Sequence, residues 1–151
     1  MYDLIRSGMA DAVPFVKQLG IALLDVGDGF ARAQLVQRPD LANHLGTIHA
    51  GALFTLAETV SGAAMAGAFA EMITGIRPVA TEARIAYLKL AKGKVTGTAG
   101  TAEEAEGLRR RLRDKGEVAF EVEVNLFRED EQRVATMTIA WNVRLVSSPP
   151  P

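Results

Sequence analysis

Glu58 is the only formally charged residue between Gly46 and Ala70. An isolated carboxylate among Ala, Gly, Leu, Phe, Val and Met is costly unless it is paired, hydrogen-bonded or protonated. A site that needs a carboxylate of tuned basicity would account for it. The segment just before it, Asn43 to Gly51, holds both histidines of the chain, His44 and His49. His44 reads as a loop residue. His49 and Glu58 are nine positions apart, which on a helix is about 13 Å along the axis. They cannot act on one atom within one subunit. Two antiparallel helices packed across a two-fold axis would bring the His49 end of one near Glu58 of the other, and each site would then be built from both chains. At the helix start, the N–H groups of Ala50 and Gly51 lack intrahelical partners and carry the positive end of the macrodipole. They suit a carbonyl oxygen that gains charge during attack. With a carboxylate opposite, the parts suit attack on an acyl group, the carboxylate acting as general base or nucleophile.

The elements that must position these residues are legible in the apolar pattern. Residues 2–19 read as an amphipathic helix interrupted at Pro14. Residues 20–26 and 30–36 read as strands around Gly27-Asp28-Gly29. Residues 37–49 form a loop leading to a long helix over 50–70, which is apolar all round and needs cover all round. From Val79 onward the pattern is strand: 81–88, then 95–101 after a turn at 91–94, then alternation over 120–126 and 135–145. These features predict an α+β fold, one long helix wrapped by a curved antiparallel sheet of five to six strands. Residues 1–146 form a single domain, and 147–151 read as a disordered tail. One sheet cannot enclose the helix, so its remaining face is expected to meet another subunit.

Composition excludes several classes. The chain has 151 residues and a net charge of −1, which gives neither nucleic acid nor a membrane surface a global electrostatic footprint. It has no cysteine, which removes disulfides and thiolate chemistry. The stretch from Ala50 to Ala70 has the length of a membrane span, but it is rich in Ala, Gly and Thr and carries Glu58 near its centre. No secretory signal is read in residues 1–20, and the expected compartment is the cytoplasm. The two histidines and Glu58 match no standard metal-ligand spacing, so no metal is expected.

Asn43, His49, Ala50, Gly51 and Glu58 together resemble the signature of hotdog-fold thioesterases of the phenylacetate-pathway (PaaI) type. In that family an Asn stands six residues before a His-Gly-Gly, and an Asp or Glu follows the His by nine. Tyr87-Leu88-Lys89-Leu90-Ala91 is similar to a later aromatic-Leu-x-Pro-Ala motif. The resemblance implies a homodimer or tetramer with sites at subunit interfaces. Its activity would be hydrolysis of acyl-CoA, with coenzyme A as part of the substrate and no cofactor. Glu58 would be base or nucleophile, Asn43 would position the nucleophile or water, and His49 would orient the thioester. The Ala50 amide, with Gly51 beside it, would polarise the carbonyl. The chain departs from the pattern where Ala50 replaces the first Gly and Leu90 the Pro. Ala80 occupies a position where the family often has Ser or Thr, with Thr81 as its neighbour. A non-catalytic acyl-CoA-binding module on the same scaffold is the alternative, and a hotdog dehydratase or hydratase a third reading.

Small residues near Glu58, including Ser61 and Gly62, leave space for an acyl group. The segment 103–115 reads as a solvated connector, or as a short helix docked by Leu108 and Leu112. Its Arg109, Arg110 and Arg111, with Lys92 at a neighbouring turn, are candidates to meet CoA phosphates.

Overall fold

The computed structural model describes residues 1–146; the expected disordered tail at 147–151 lies outside the described residues. Two short helices come first, α1 (Tyr2–Ala12) and α2 (Pro14–Leu19). Val13 is extended between them because a residue before proline is pushed out of the helical region. Strands β1 (Ala22–Gly27) and β2 (Phe30–Val36) form the expected hairpin. A single-turn 3-10 segment at Pro39–Leu41 interrupts the loop before α3 (Ala50–Ala68), and a second at Ala70–Gly75 follows it. The remaining elements are β3 (Ile76–Tyr87), β4 (Lys94–Thr101), α4 (Ala105–Lys115), β5 (Glu117–Arg128) and β6 (Arg133–Leu145).

All six strands form one antiparallel sheet in the order β1-β2-β4-β5-β6-β3. The sheet wraps α3, whose Leu56, Val60, Ala63 and Ala64 are fully buried. Inward residues of β5 (Val122, Val124, Leu126) and β6 (Met137, Ile139, Val143) complete the core, as their alternation requires. Small residues let helix and sheet approach. A Cβ at Gly67 would collide with the backbone carbonyl of Gly27, and one at Gly97 would lie 2.9 Å from Leu126 and 3.3 Å from Val60.

The segment 103–115 carries α4, the short helix that its charge pattern allows. Leu108 and Leu112 are fully buried and dock it, and Gly116 ends it in the left-handed conformation that favours glycine. Strand β3 begins at Ile76, earlier than its apolar pattern suggests, because pairing with β6 runs out to Ile76 opposite Leu145. It lies at the sheet edge with its other side unpaired among the described residues, and Val79 and Tyr87 are each about half exposed.

Candidate functional site at the start of the central helix

The loop before α3 is held by its own side chains. Asn43 Oδ1 accepts from the amides of Leu45 (3.0 Å) and Thr47 (3.1 Å), and its Nδ2 donates to Thr47 Oγ1 at 2.7 Å. Asn43 is therefore the keystone of the 43–47 turn, closed further by Gly46 at φ 74°. Gln37 adds a second brace: its Nε2 donates to Gly46 O (2.9 Å) and its Oε1 accepts from the Gly93 amide (2.9 Å). Backbone bonds from His49 N to Leu41 O (2.8 Å) and from Ile48 N to Ala91 O (2.9 Å) fix the chain as it enters the helix.

His49 is the N-cap of α3, and its Nδ1 accepts from the Gly51 amide at 2.8 Å. A Cβ at Gly51 would lie 3.1 Å from the same nitrogen, so a larger residue there would require the His49 ring to shift. The carbonyl of His49 accepts from Ala52 (2.9 Å) and Leu53 (3.2 Å). Of the first-turn amides, only that of Ala50 has no hydrogen-bond partner among the described residues. Both Ala50 and His49 are exposed. Tyr87, at the end of β3, donates its hydroxyl to Ala50 O at 3.2 Å, and burial pushes that phenol up.

Glu58 lies eight residues along α3 from Ala50, about 12 Å by the helical rise. Its side chain makes no hydrogen bond or ion pair among the described residues. Desolvation holds its carboxyl above the usual carboxylate range. Next to it, the buried Thr59 Oγ1 has no partner among the described residues. Ser61 is fully buried, and its hydroxyl donates to Glu58 O at 2.7 Å. Gly62 packs beneath Trp141, where a Cβ would sit 3.7 Å from the indole. Neither Ser61 nor Gly62 aims a polar group at the Glu58 carboxylate.

The remaining sequence-predicted residues are spread more widely. Thr81 is the extra residue of a β-bulge between Ala80 and Glu82, and its exposed hydroxyl donates to Ala140 O at 3.2 Å. Arg109 donates to Ala68 O (2.7 Å) and pairs with Asp28 (2.6 Å) and Glu106 (3.0 Å), which clamps α4 to the C-terminal end of α3. These partners raise its pKa, the Asp28 hydrogen bond most of all. Arg111 is paired with Glu103 at 2.6 Å, while Arg110 is exposed and makes no ion pair among the described residues. The three arginines thus sit at the far end of a 19-residue helix from Ala50, about 27 Å away in the same subunit. Lys92 is the exception: it follows Ala91, whose carbonyl holds Ile48, and so stands exposed at the His49 end. Among the described residues, no three of His, Asp and Glu converge as metal ligands would.

Within one subunit, then, the structure joins Asn43, His49, Ala50, Gly51 and Lys92 at one end of α3, places Glu58 two turns further on, and leaves Arg109, Arg110 and Arg111 at the other end. Tyr87 and Gln37 were not singled out as site residues by the sequence. Tyr87 lay in a recognised motif, but nothing local indicated that its hydroxyl reaches Ala50.

A sequence-family profile described as "Domain of unknown function (DUF4442)" matches residues 2–143. No curated protein matches the chain. Among solved structures, the chain is similar to a Pseudomonas aeruginosa protein of unknown function described as a probable thioesterase, at 26% identity and TM-score 0.83 over 97% of both chains. It is also similar to the Escherichia coli PaaI protein of the phenylacetic acid degradation operon, at 19% identity and TM-score 0.73 over 97% of this chain and 94% of that one. A thioesterase family protein from Silicibacter pomeroyi aligns at 18% identity and TM-score 0.77, covering 97% of this chain and 100% of that one. The fold is the hotdog fold.

Proposed function

Because the chain belongs to the family described as Domain of unknown function (DUF4442), whose description assigns no reaction, we propose a function from the site itself: hydrolysis of an acyl-CoA thioester. The observation that carries this reading is the pairing on one helix of an unpartnered, half-buried carboxylate with an open N-terminal amide. The first suits proton abstraction from water and the second suits the oxyanion. The likeness to proteins described as thioesterases supports it.

Glu58 takes a proton as water oxygen attacks the thioester carbonyl carbon, and the carbonyl oxygen gains charge at the Ala50 N–H. As the tetrahedral intermediate collapses, the C–S bond breaks and the proton passes to the departing CoA sulfur. The free acid is released and Glu58 is restored. A separation of about 12 Å between Ala50 and Glu58 requires that the two come from different subunits. In this reading two chains associate and each site draws on both. His49 Nε2–H faces the same oxyanion, Asn43 positions the loop that carries His49, and Lys92 meets a phosphate of CoA.

A binding-only role has one observation in its favour. Ala80 brings no hydroxyl to the site, and the neighbouring Thr81 spends its own on Ala140 O. Turnover of a panel of acyl-CoA thioesters, read as free thiol, separates the two. Thiol release by the wild type that is abolished in Glu58→Gln supports the hydrolase; tight binding with no release by either protein sinks it.

A further inference from the structure

The Ala50 N–H belongs to the peptide unit that joins His49 to Ala50, and the next unit joins Ala50 to Gly51. Each unit is planar, so only the two backbone dihedrals at Ala50 let one swing against the other. The first unit is held at its carbonyl, since His49 O accepts from Ala52 (2.9 Å) and Leu53 (3.2 Å). The second is held at both ends. Its N–H, that of Gly51, donates to His49 Nδ1 at 2.8 Å, and its oxygen, Ala50 O, accepts from the Tyr87 hydroxyl at 3.2 Å. With both planes fixed, the Ala50 N–H points one way, outward from the helix start.

All of these bonds but one come from α3 and its cap. Tyr87 closes strand β3, where it pairs with Ala135 of β6, so the sheet edge supplies the remaining grip. Among the described residues, no other side chain from outside α3 and its cap bonds either peptide unit. A carbonyl oxygen has two lone pairs, and the hydroxyl therefore adds a bond without taking one from the helix ladder. Packing alone does not call for a hydroxyl here. Tyr87 is 48% exposed, and a phenylalanine ring would give the same apolar contact. Desolvation raises the pKa of the phenol, which keeps its proton and stays a donor at neutral pH.

We propose that Tyr87 is a positioning residue for the thioester hydrolysis. Its hydroxyl touches no substrate and acts through Ala50 O, keeping the Ala50 N–H aimed at the carbonyl oxygen that gains charge. The inference rests on the thioester reading. A donor stabilises an oxyanion only at about 2.7–3.1 Å from the place that oxygen comes to occupy. A small swing of the peptide unit therefore costs rate and leaves ground-state binding in place.

The test is Tyr87→Phe in the full chain, which removes one oxygen and keeps the ring. With an acyl-CoA that the wild type hydrolyses, kcat should fall about tenfold or more, the scale of a slightly misplaced group. KM should stay unchanged, and the acid limb of kcat/KM, set by Glu58, should not move. Hydrogen exchange followed by NMR should show the Gly51 amide exchanging faster in the variant, while the buried Val60 amide keeps its wild-type protection. Wild-type kcat in Tyr87→Phe overturns the inference whatever the variant's stability, because the contact is then structural only. A loss of kcat matched by a rise in KM also overturns it, since the hydroxyl would then touch the substrate itself. Unchanged exchange at Gly51 does the same, since the peptide unit would then be held without Tyr87. A wild type that releases no thiol from any acyl-CoA removes the hydrolase reading and this inference with it; turnover with equal kcat in both proteins removes this inference alone.

Discussion

His49 Nδ1 accepts the Gly51 amide at 2.8 Å, and this one bond sets the chemistry of the helix start. A nitrogen that accepts carries no proton, which leaves Nε2 as the ring's donor. The cap takes the Gly51 amide out of the set of free donors; in the proposed hydrolysis the Ala50 N–H and His49 Nε2–H are the donors offered to the oxyanion. His49→Ala removes the cap and should cost about 1 kcal/mol of stability, whereas His49→Asn keeps a capping oxygen and should cost less. Both lose Nε2–H, and kcat should fall on the order of 10²-fold, the effect of removing one such donor. Chemical denaturation alongside kinetics checks this; a His49→Ala variant as stable as the wild type would show that the cap contributes nothing.

Glu58 should betray itself in both activity and stability. Glu58→Gln is expected to lower kcat by at least about 10²-fold, the scale of a lost general base, while acyl-CoA thioether affinity stays within a few-fold. Desolvation raises the folded-state pKa of this carboxyl above its unfolded value. The native state therefore holds the proton more tightly, and stability falls as pH rises through the window between the two values. Above the raised folded-state value the penalty is fully present, so there Glu58→Gln should melt at the same temperature as the wild type or higher. The advantage should vanish below the ordinary carboxylate range. In the same way, the acid limb of kcat/KM should lie above that of an exposed glutamate. A Glu58→Gln protein that melts lower at pH 8 than the wild type would contradict the desolvation argument.

Arg109 and Lys92 should part company in kinetics. The guanidinium of Arg109 bonds Ala68 O and two carboxylates, so Arg109→Ala frees the end of α3 and should cost about 1–3 kcal/mol, the range for hydrogen bonds to charged groups. Asp28 is half exposed, which keeps the figure toward the lower end through solvent screening. KM for acyl-CoA should scarcely change. Lys92→Ala should do the reverse, leaving stability intact and raising KM several-fold, more at low salt than at high. A higher KM in Arg109→Ala without loss of stability would return that residue to the phosphate.

The fold was readable in the sequence because its periodicities are clean. Alternation in β5 and β6 marks two long strands with one covered face, and the uniformly apolar run after His49 marks a helix that needs cover all round. Where reading stopped short, the cause was tertiary. The charged run around Arg109, Arg110 and Arg111 reads either as a solvated connector or as a short helix docked by Leu108 and Leu112, and only the tertiary packing, which buries both leucines, decides. Asn43 and His49 were found by type and spacing, but their hydrogen bonds to Thr47 and Gly51 depend on turn geometry that spacing does not encode. Tyr87 reaches Ala50 across 37 residues of chain, a contact that no local pattern carries.

Gly67 records how tightly the helix is wrapped. A Cβ there would strike the Gly27 carbonyl, a backbone atom at the end of β1 that cannot swing aside as a side chain would. Higher helix propensity would favour Gly67→Ala by about 1 kcal/mol, yet the overpacking should outweigh it and leave the variant less stable by about 1–3 kcal/mol. Denaturant unfolding decides the sign; a stabilised Gly67→Ala would mean the hairpin yields.

Strand β3 runs for 12 residues along the sheet edge with one side unpaired among the described residues, and an edge of that length is a template for another strand. Val79, half exposed in the single chain, would be covered if two copies pair along β3. That pairing would also set the two α3 helices side by side and let one chain's Ala50 meet the other's Glu58. Val79→Lys places a charge on this edge and should shift the protein toward monomer in sedimentation experiments, with the fold kept by circular dichroism. Hydrolysis should fall in step with the fraction of dimer and recover at higher protein concentration. Full activity in a monomeric Val79→Lys protein would defeat the two-subunit site, because about 12 Å of helix would then separate the Glu58 carboxylate from the Ala50 amide.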